Sequence, residues 1–344
     1  MNRQAKQSSN TSVNPDIVTI VHDIAQSFQI GTIISFTKIK IGYEDCNVIV
    51  QTDLGKYVTK IFASKRTDED IERYIAIMRK VVSSTIHHPP FCTSADGSYR
   101  FTAHGVSAVV MEFVEGSTYY DTDSAPTDSE RRAILSQMKK IHALDHRPSH
   151  LHDIWAVNSI RQMYDATKQL IPAEYIQPVE HIMARYEAIP TDTLPHAFVH
   201  GDFTKANVMR DADRVYILDF CIANWYPRIQ ELGKCIANLL YDPNDSRTLQ
   251  ETCDLVAAEY GDLTSAEITY IPDYARAAMV MVYLASYYEK HVNGIDTFEN
   301  KYWLEMGREG IDRSLSHESL TDTVLSMQPT KSSPSPATAQ PSLD

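Results

Sequence analysis

The chain has 344 residues, 43% of them hydrophobic and 22% charged, with a formal net charge of −13; this is the composition of a soluble globular protein with room for two lobes of ordinary domain size. The negative balance argues against nucleic acid as a partner, because a phosphate backbone demands a basic footprint, and it is compatible with a cationic or zwitterionic small molecule. No apolar run reaches the ~20 residues of a membrane span, and the opening MNRQAKQSSNTSVNPD lacks the apolar core of a signal peptide, so a cytoplasmic location is expected.

Residues 1–14 and the Pro- and Ser-rich end, 319–344, are expected to be disordered. Asp16 to Phe28 reads as a short amphipathic helix through Ile17, Ile20, Val21 and Ile24. Three β-like runs follow, Ile33 to Ile41, Cys46 to Thr52 and Lys56 to Phe62, separated by a Gly42-containing turn and by Asp53-Leu54-Gly55. Period-2 alternation puts Lys60 on the face of Val58 and Phe62. A lysine on an apolar face wants an anion, and the phosphates of ATP would provide one. Thr67 to Val82 has helical spacing (Ile71, Tyr74, Met78, Val81), with Glu69 and Glu72 early in the helix.

Two further runs, Ser98 to Ala103 and Val106 to Phe113, lead into the segment MEFVEG. Thr127 opens another helix, with Glu130 completing a capping box and Ile134, Met138, Ile141 and Leu144 facing inward. His142 and His146 at its end read as packing or surface residues, since no metal-ligand partner has suitable spacing. Helical patterns continue over Ser159 to Leu170 and Ala173 to Ala188. Five cysteines, Cys46, Cys92, Cys221, Cys235 and Cys253, contain no CxxC pair, so neither a disulfide framework nor a zinc site is indicated.

The stretch AFVHGDFTKANVMRDADRVYILDF, residues 197–220, carries the chemistry. An acidic residue closing an apolar run, as Asp219 closes Val215 to Leu218, must be paired or bind a metal. Asn207 offers a neutral oxygen, and Asp202 is a carboxylate placed to accept a proton. Phosphoryl transfer needs this set: a base that orients the attacking hydroxyl, and oxygen ligands for Mg²⁺. Lys205, in the same loop, reads as a surface lysine and would be the first alternative cation for phosphates only if Lys60 proved dispensable. Downstream, Ile229, Leu232, Ile236 and Leu239 to Leu240 form an amphipathic helix, and the region of Ala277 to Tyr288 is apolar nearly all round.

The order His200, Asp202, Asn207, Asp219 is that of the protein-kinase catalytic loop, with Gly201 in place of its Arg. The pattern His-Gly-Asp-x-x-x-x-Asn followed by a strand ending in Asp-Phe resembles the aminoglycoside phosphotransferase and choline kinase family, over roughly Lys40 to Tyr241. The resemblance implies an α+β, two-lobed protein-kinase-like fold, with a small antiparallel-sheet lobe over 15–116 and a mainly helical large lobe over 117–318. It also implies ATP and Mg²⁺ as cofactors, a hydroxyl-bearing small molecule as substrate, Asp202 as base, Asn207 and Asp219 as metal ligands, and Lys60 on the phosphates. Glu72, or Glu69, would pair with Lys60, and the Glu112 carbonyl and Val114 amide of MEFVEG would meet adenine. Family members usually open the helix after the catalytic loop with Asp-Leu, where this chain has Glu231-Leu232.

Within that family, GYEDCNVIVQTDLGKYV resembles the start of bacterial homoserine kinases, which favours an amino alcohol or amino acid as substrate. Aminoglycoside or choline and ethanolamine kinases are the alternatives, and Trp225, Tyr226, Tyr274, Tyr283, Tyr287 and Tyr288 would be either an aromatic cage or core. A nucleotide-binding pseudokinase is a competing class; the intact Lys60, Asp202, Asn207 and Asp219 argue against it. A protein kinase is disfavoured because no Ala-Pro-Glu segment follows Asp219.

Overall fold

In a computed structural model the described residues are 17–327, apart from 40, 43, 44 and 213. The expectations for residues 1–14 and 328–344, and for Tyr43 and Glu44, lie outside them. Helix α1 (Ile17–Ser27) precedes β1 (Ile33–Lys38), β2 (Cys46–Thr52) and β3 (Lys56–Ile61); α2 (Asp68–Val82) precedes β4 (Phe101–Ala103) and β5 (Val106–Glu112). The five strands form one sheet in the order β1-β2-β3-β5-β4, antiparallel throughout. Strand β1 stops at Lys38, short of the expected Ile41.

Alternation along these strands serves two helices. Val48, Val50, Ile61 and Val110 pack with Ile20, Val21 and Ile24 of α1, whereas Phe62 and Val109 join Ile71, Tyr74 and Met78 of α2. Lys60 lies across from Val109 in the β3/β5 ladder, so it projects from the α2 face, where the alternation put it.

The chain leaves the sheet through β6 (Ser117–Thr118) and enters α3 (Asp128–His142), α4 (Ile160–Thr167) and α5 (Ala173–Glu187). Short strands β7 (His196–Val199), β8 (Val208–Arg210), β9 (Val215–Ile217) and β10 (Asn224–Pro227) come next, then α6 (Arg228–Cys235), α7 (Leu249–Tyr260), α8 (Ser265–His291) and α9 (Phe298–Met327). Gly116, at the crossing into this region, has Arg210 O 2.6 Å from where a Cβ would stand. A side chain there would force the two segments apart.

Capping boxes start four of the helices: Thr67 with Asp70, Thr127 with Glu130, Thr248 with Glu251, and Thr264 with Glu267. Each is worth ~1 kcal/mol and fixes where its helix begins. Helix α8 runs through the centre of the large lobe, with Ala277, Val280 and Leu284 fully buried, and α6 and α9 pack on it. Helices α7 and α9 were not anticipated from periodicity, and α9 continues past residue 319, where a disordered tail was expected. No helix among the described residues is long and apolar enough to cross a membrane.

Candidate active site

Residues 200–207 span from the end of β7 to the start of β8, and both ends are anchored: β7 pairs with β10, and β8 lies between β6 and β9. His200 is fully buried. Its Nδ1 accepts the Asp202 N–H at 3.1 Å, so the ring proton is on Nε2, which donates to Leu218 O at 2.7 Å. The ring stands edge-on to Phe220 at 4.5 Å between centroids. His200 thus ties the Asp202 backbone to the residue before Asp219, a structural task that needs both ring nitrogens.

The Asp202 carboxylate is held from two sides. Asn207 Nδ2 donates to Oδ2 at 2.6 Å, and Lys234 Nζ stands 3.1 Å from Oδ1, while the aspartate side chain keeps 35% of its surface exposed. Gly201, at φ +85° with Ile222 O 2.9 Å from a would-be Cβ, allows the turn that points Asp202 outward; any L side chain there is strained and crowded. Its N–H donates to Glu231 Oε1 at 2.8 Å. The other Glu231 oxygen lies 2.8 Å from His142 Nε2, and His142 Nδ1 is 2.8 Å from the Tyr260 hydroxyl. Glu231 therefore ties α6 to the loop. His142, its side chain 3% exposed, is hydrogen-bonded in this chain and packed against Tyr260, so it is an interior residue and not a surface one.

Asp219 follows β9 at φ +59°, the left-handed region, which costs a non-glycine residue about 1–3 kcal/mol and is found where function over-determines the backbone. Its Oδ2 is 2.9 Å from Lys60 Nζ, and its Oδ1 accepts the Cys221 N–H at 3.2 Å. The second carboxylate on Lys60 is Asp45, at 3.0 Å. Asp45 also accepts from Arg66 Nε at 2.9 Å and from the Ala63 N–H at 3.0 Å. Burial opposes charge on all three groups, yet the pairing wins. Lys60 holds Asp219 below the ordinary carboxylate value, Lys60 and Arg66 hold Asp45 below it, and Lys60 is raised in turn, chiefly by Asp219.

The pairing expected between Lys60 and Glu72 is not formed. Glu72 is on the outer side of α2, 63% exposed and bonded to Arg100 at 3.0 Å, and Glu69 is exposed as well. The physical reason is phase: the α2 stripe facing the sheet is Ile71, Tyr74, Ile75 and Met78, and Glu72 is off it. The hairpin register carried the missed signal. Asn47 lies opposite Lys60 across β2/β3, and a residue two positions back, Asp45, shares that face. Asp45→Asn removes a carboxylate that is 3% exposed from between Lys60 and Arg66, and because Lys60 keeps Asp219 at 2.9 Å the cost should fall below the ~3 kcal/mol of a buried pair broken outright. Urea unfolding should show a midpoint lowered accordingly, and an unchanged midpoint would mean that Asp219 alone satisfies Lys60.

Glu112 ends β5 opposite Tyr57, and Val114 follows in the segment between β5 and β6. Lys205 turns away to Asp123, 3.6 Å from it. Of the cage candidates, Tyr274 and Tyr283 are core residues at 0% and 1% exposure, Trp225 stacks under Arg147, and the Tyr226 hydroxyl contacts His150 and Asn224. The aromatic groups against the catalytic loop are others: Tyr120, whose N–H donates to Lys205 O at 3.1 Å, with Tyr302 and Trp303 packed on its ring at 4.8 and 5.6 Å.

Beside them Glu299, in the first turn of α9, accepts the Gly42 N–H at 3.0 Å and contacts Trp303 Nε1 at 3.5 Å. Burial raises its carboxyl above the ordinary value, and the negative charge of Asp202 acts in the same direction. Periodicity gave no sign of Glu299, because α9 itself was not anticipated.

Residues 35–276 match the model of the phosphotransferase enzyme family. Among curated proteins, the homoserine kinase of Sinorhizobium fredii strain NGR234 is 22% identical over 279 residues, covering 76% of this chain and 82% of that one. The homoserine kinase of Rhodopseudomonas palustris strain BisB5 is 23% identical over 266 residues, covering 74% and 79%. Among solved structures, a spectinomycin phosphotransferase in complex with ADP and spectinomycin superposes with a TM-score of 0.66 at 12% identity, over 88% of this chain and 98% of that one. A choline/ethanolamine kinase family protein from Mesorhizobium loti superposes with 0.61 at 14%, over 89% and 95%. These structures share the two-lobed fold, and with the family model matched from β1 into α8, the chain belongs to the phosphotransferase enzyme family.

Proposed function

We propose that this protein transfers the γ-phosphoryl group of ATP to a hydroxyl of a small molecule bearing an ammonium group, an amino alcohol or an amino acid such as homoserine. The observation that carries the reading is Asp202: a carboxylate fixed by Asn207 and Lys234 and still 35% exposed, ready to orient a hydroxyl and take its proton. Lys60, paired with Asp219 and Asp45, is the cation for the phosphates. The Glu112 carbonyl and Val114 amide are the groups for adenine.

The donors present suit Mg²⁺, which binds one or two protein oxygens and completes its shell with phosphate and water. Asn207 commits Nδ2 to Asp202, leaving Oδ1 as the ligand oxygen, and Asp219 is 36% exposed while paired with Lys60. When bound, the ion neutralises charge on the phosphoryl oxygens. The protein's own part is to orient: His200 fixes the loop, Asn207 and Lys234 fix the base, and Lys60 is fixed by two carboxylates.

An ammonium on the acceptor is supported by Glu299, whose carboxyl feels the charge of Asp202 and has Trp303 against it with Tyr120 on that ring, and by the homoserine kinases among the relatives. A charge-assisted hydrogen bond is worth about 1.5–3 kcal/mol. Glu299→Gln should therefore raise KM for the ammonium-bearing acceptor ~10- to 100-fold, with a smaller effect on kcat. The test is ADP release with homoserine, choline, ethanolamine, methylthioribose, hydroxylysine and aminoglycosides side by side. An aminoglycoside as sole acceptor overturns the choice of substrate. No acceptor at all, with Asp202→Asn indistinguishable from wild type, favours a pseudokinase.

A further inference from the structure

Lys234 is buried, 6% exposed, on the face of α6 that lies under the catalytic loop. A lysine so far from water keeps its charge only with a partner. Its partners are both in the loop: the Asp202 carboxylate at 3.1 Å and the Gly201 carbonyl at 2.7 Å. One turn earlier on the same helix, Glu231 accepts the Gly201 N–H. Two side chains at i and i+3 therefore grip the N–H and the C=O of a single residue, and the second reaches on to the neighbouring carboxylate.

We propose that Lys234 is a positioning residue for phosphoryl transfer, holding the Asp202 carboxylate against Asn207 so that its exposed edge meets the acceptor hydroxyl. The proposal rests on the reading of Asp202 as the base. A bare stabilising role explains the arrangement poorly, because replacing a buried ion pair by apolar groups is often neutral or favourable to stability. Of the other buried α6 side chains, Ile229, Leu232 and Cys235 are apolar or nearly so, and the charged one, Glu231, is committed to the same loop. Where the transition state is loose the base chiefly orients the nucleophile, and a misplacement of about 1 Å costs ~10² in rate. Lys205, the loop's own lysine, does not share this task; its Nζ is directed to Asp123.

The experiment is a double-mutant cycle between Lys234→Met and Asp202→Asn, read by ADP release with homoserine and, separately, with water as acceptor. Lys234→Met in the wild-type background should lower kcat ~10²-fold with KM for ATP changed less than about threefold. In the Asp202→Asn background the same change should cost less than about threefold, because a residue acting through Asp202 has nothing left to position. The Mg-ATP-induced rise in Tm reports that each variant is folded. Lys234→Gln, which keeps a donor toward Gly201 but no charge, replaces Lys234→Met if the latter fails to fold. Equal losses in both backgrounds, or a kcat retained within about threefold, overturn the proposal. Wild-type protein that turns over ATP with neither homoserine nor water, nor with any acceptor of the panel, overturns the reading of Asp202 instead, and is recognised by the wild-type assay alone.

Discussion

Asp202→Asn should lower kcat about 10²- to 10⁴-fold while leaving the Mg-ATP-induced rise in Tm unchanged. The substitution keeps the shape of the side chain and its place between Asn207 and Lys234 but removes the acceptor charge. ATP is expected to bind through Lys60 and the metal ligands, not through Asp202, so ground-state affinity is spared and the loss falls on the step in which the hydroxyl gives up its proton. Initial rates at saturating ATP and a thermal shift with Mg-ATP measure the two quantities. A rise in KM for ATP equal to the fall in kcat/KM would show that Asp202 contributes to nucleotide binding, and the role of base would pass elsewhere.

Asp219→Ala is the companion experiment, with an expected loss of ~10³ or more in kcat, since the charge on the transferring phosphoryl group then lacks its fixed counter-ion. Its effect on the fold should be smaller than its effect on rate. Lys60 retains Asp45 at 3.0 Å, so no buried charge is abandoned, and removing a non-glycine residue at φ +59° from an obligatory role relieves nothing that alanine does not also suffer. The variant should also lose the difference between thermal shifts taken with ATP plus Mg²⁺ and with ATP plus chelator, a difference that mass action demands of a metal-assisted ligand. If Asp219→Ala preserved that difference, the metal would be held by other oxygens. Lys60→Ala, in contrast, should act mainly on KM for ATP.

Much of this molecule was legible before any coordinates. Thr127 with Glu130 marked the start of α3 to the residue, the Asp53-Leu54-Gly55 turn marked the β2/β3 hairpin, and alternation assigned Lys60 to its face of the sheet. These signals are local. A capping box spans four residues and a strand alternates every two, so the chain states them wherever it folds. The loop of His200, Asp202 and Asn207 with Asp219 forms one cluster for a related reason: these residues lie within 20 positions of one another, and β7, β8 and β9 leave them few ways to be arranged.

The pairings around the site were settled otherwise. Lys60 meets Asp45 and not Glu72 because the helical phase of α2 turns Glu72 to solvent, a consequence of which α2 side chains the sheet buries. Glu299 reaches Gly42 across 257 positions of sequence, and Lys234 reaches Asp202 only because α6 packs beneath the loop. Helix α6 itself changes to a π-helical turn over Ile236–Leu240, where periodicity indicated a continuous α-helix. Local signals alone specify most of the elements and the two-lobed class, α7 and α9 excepted. Which charges meet was decided by tertiary structure, since contacts of long sequence separation depend on crossing angles and packing depth that no local period encodes.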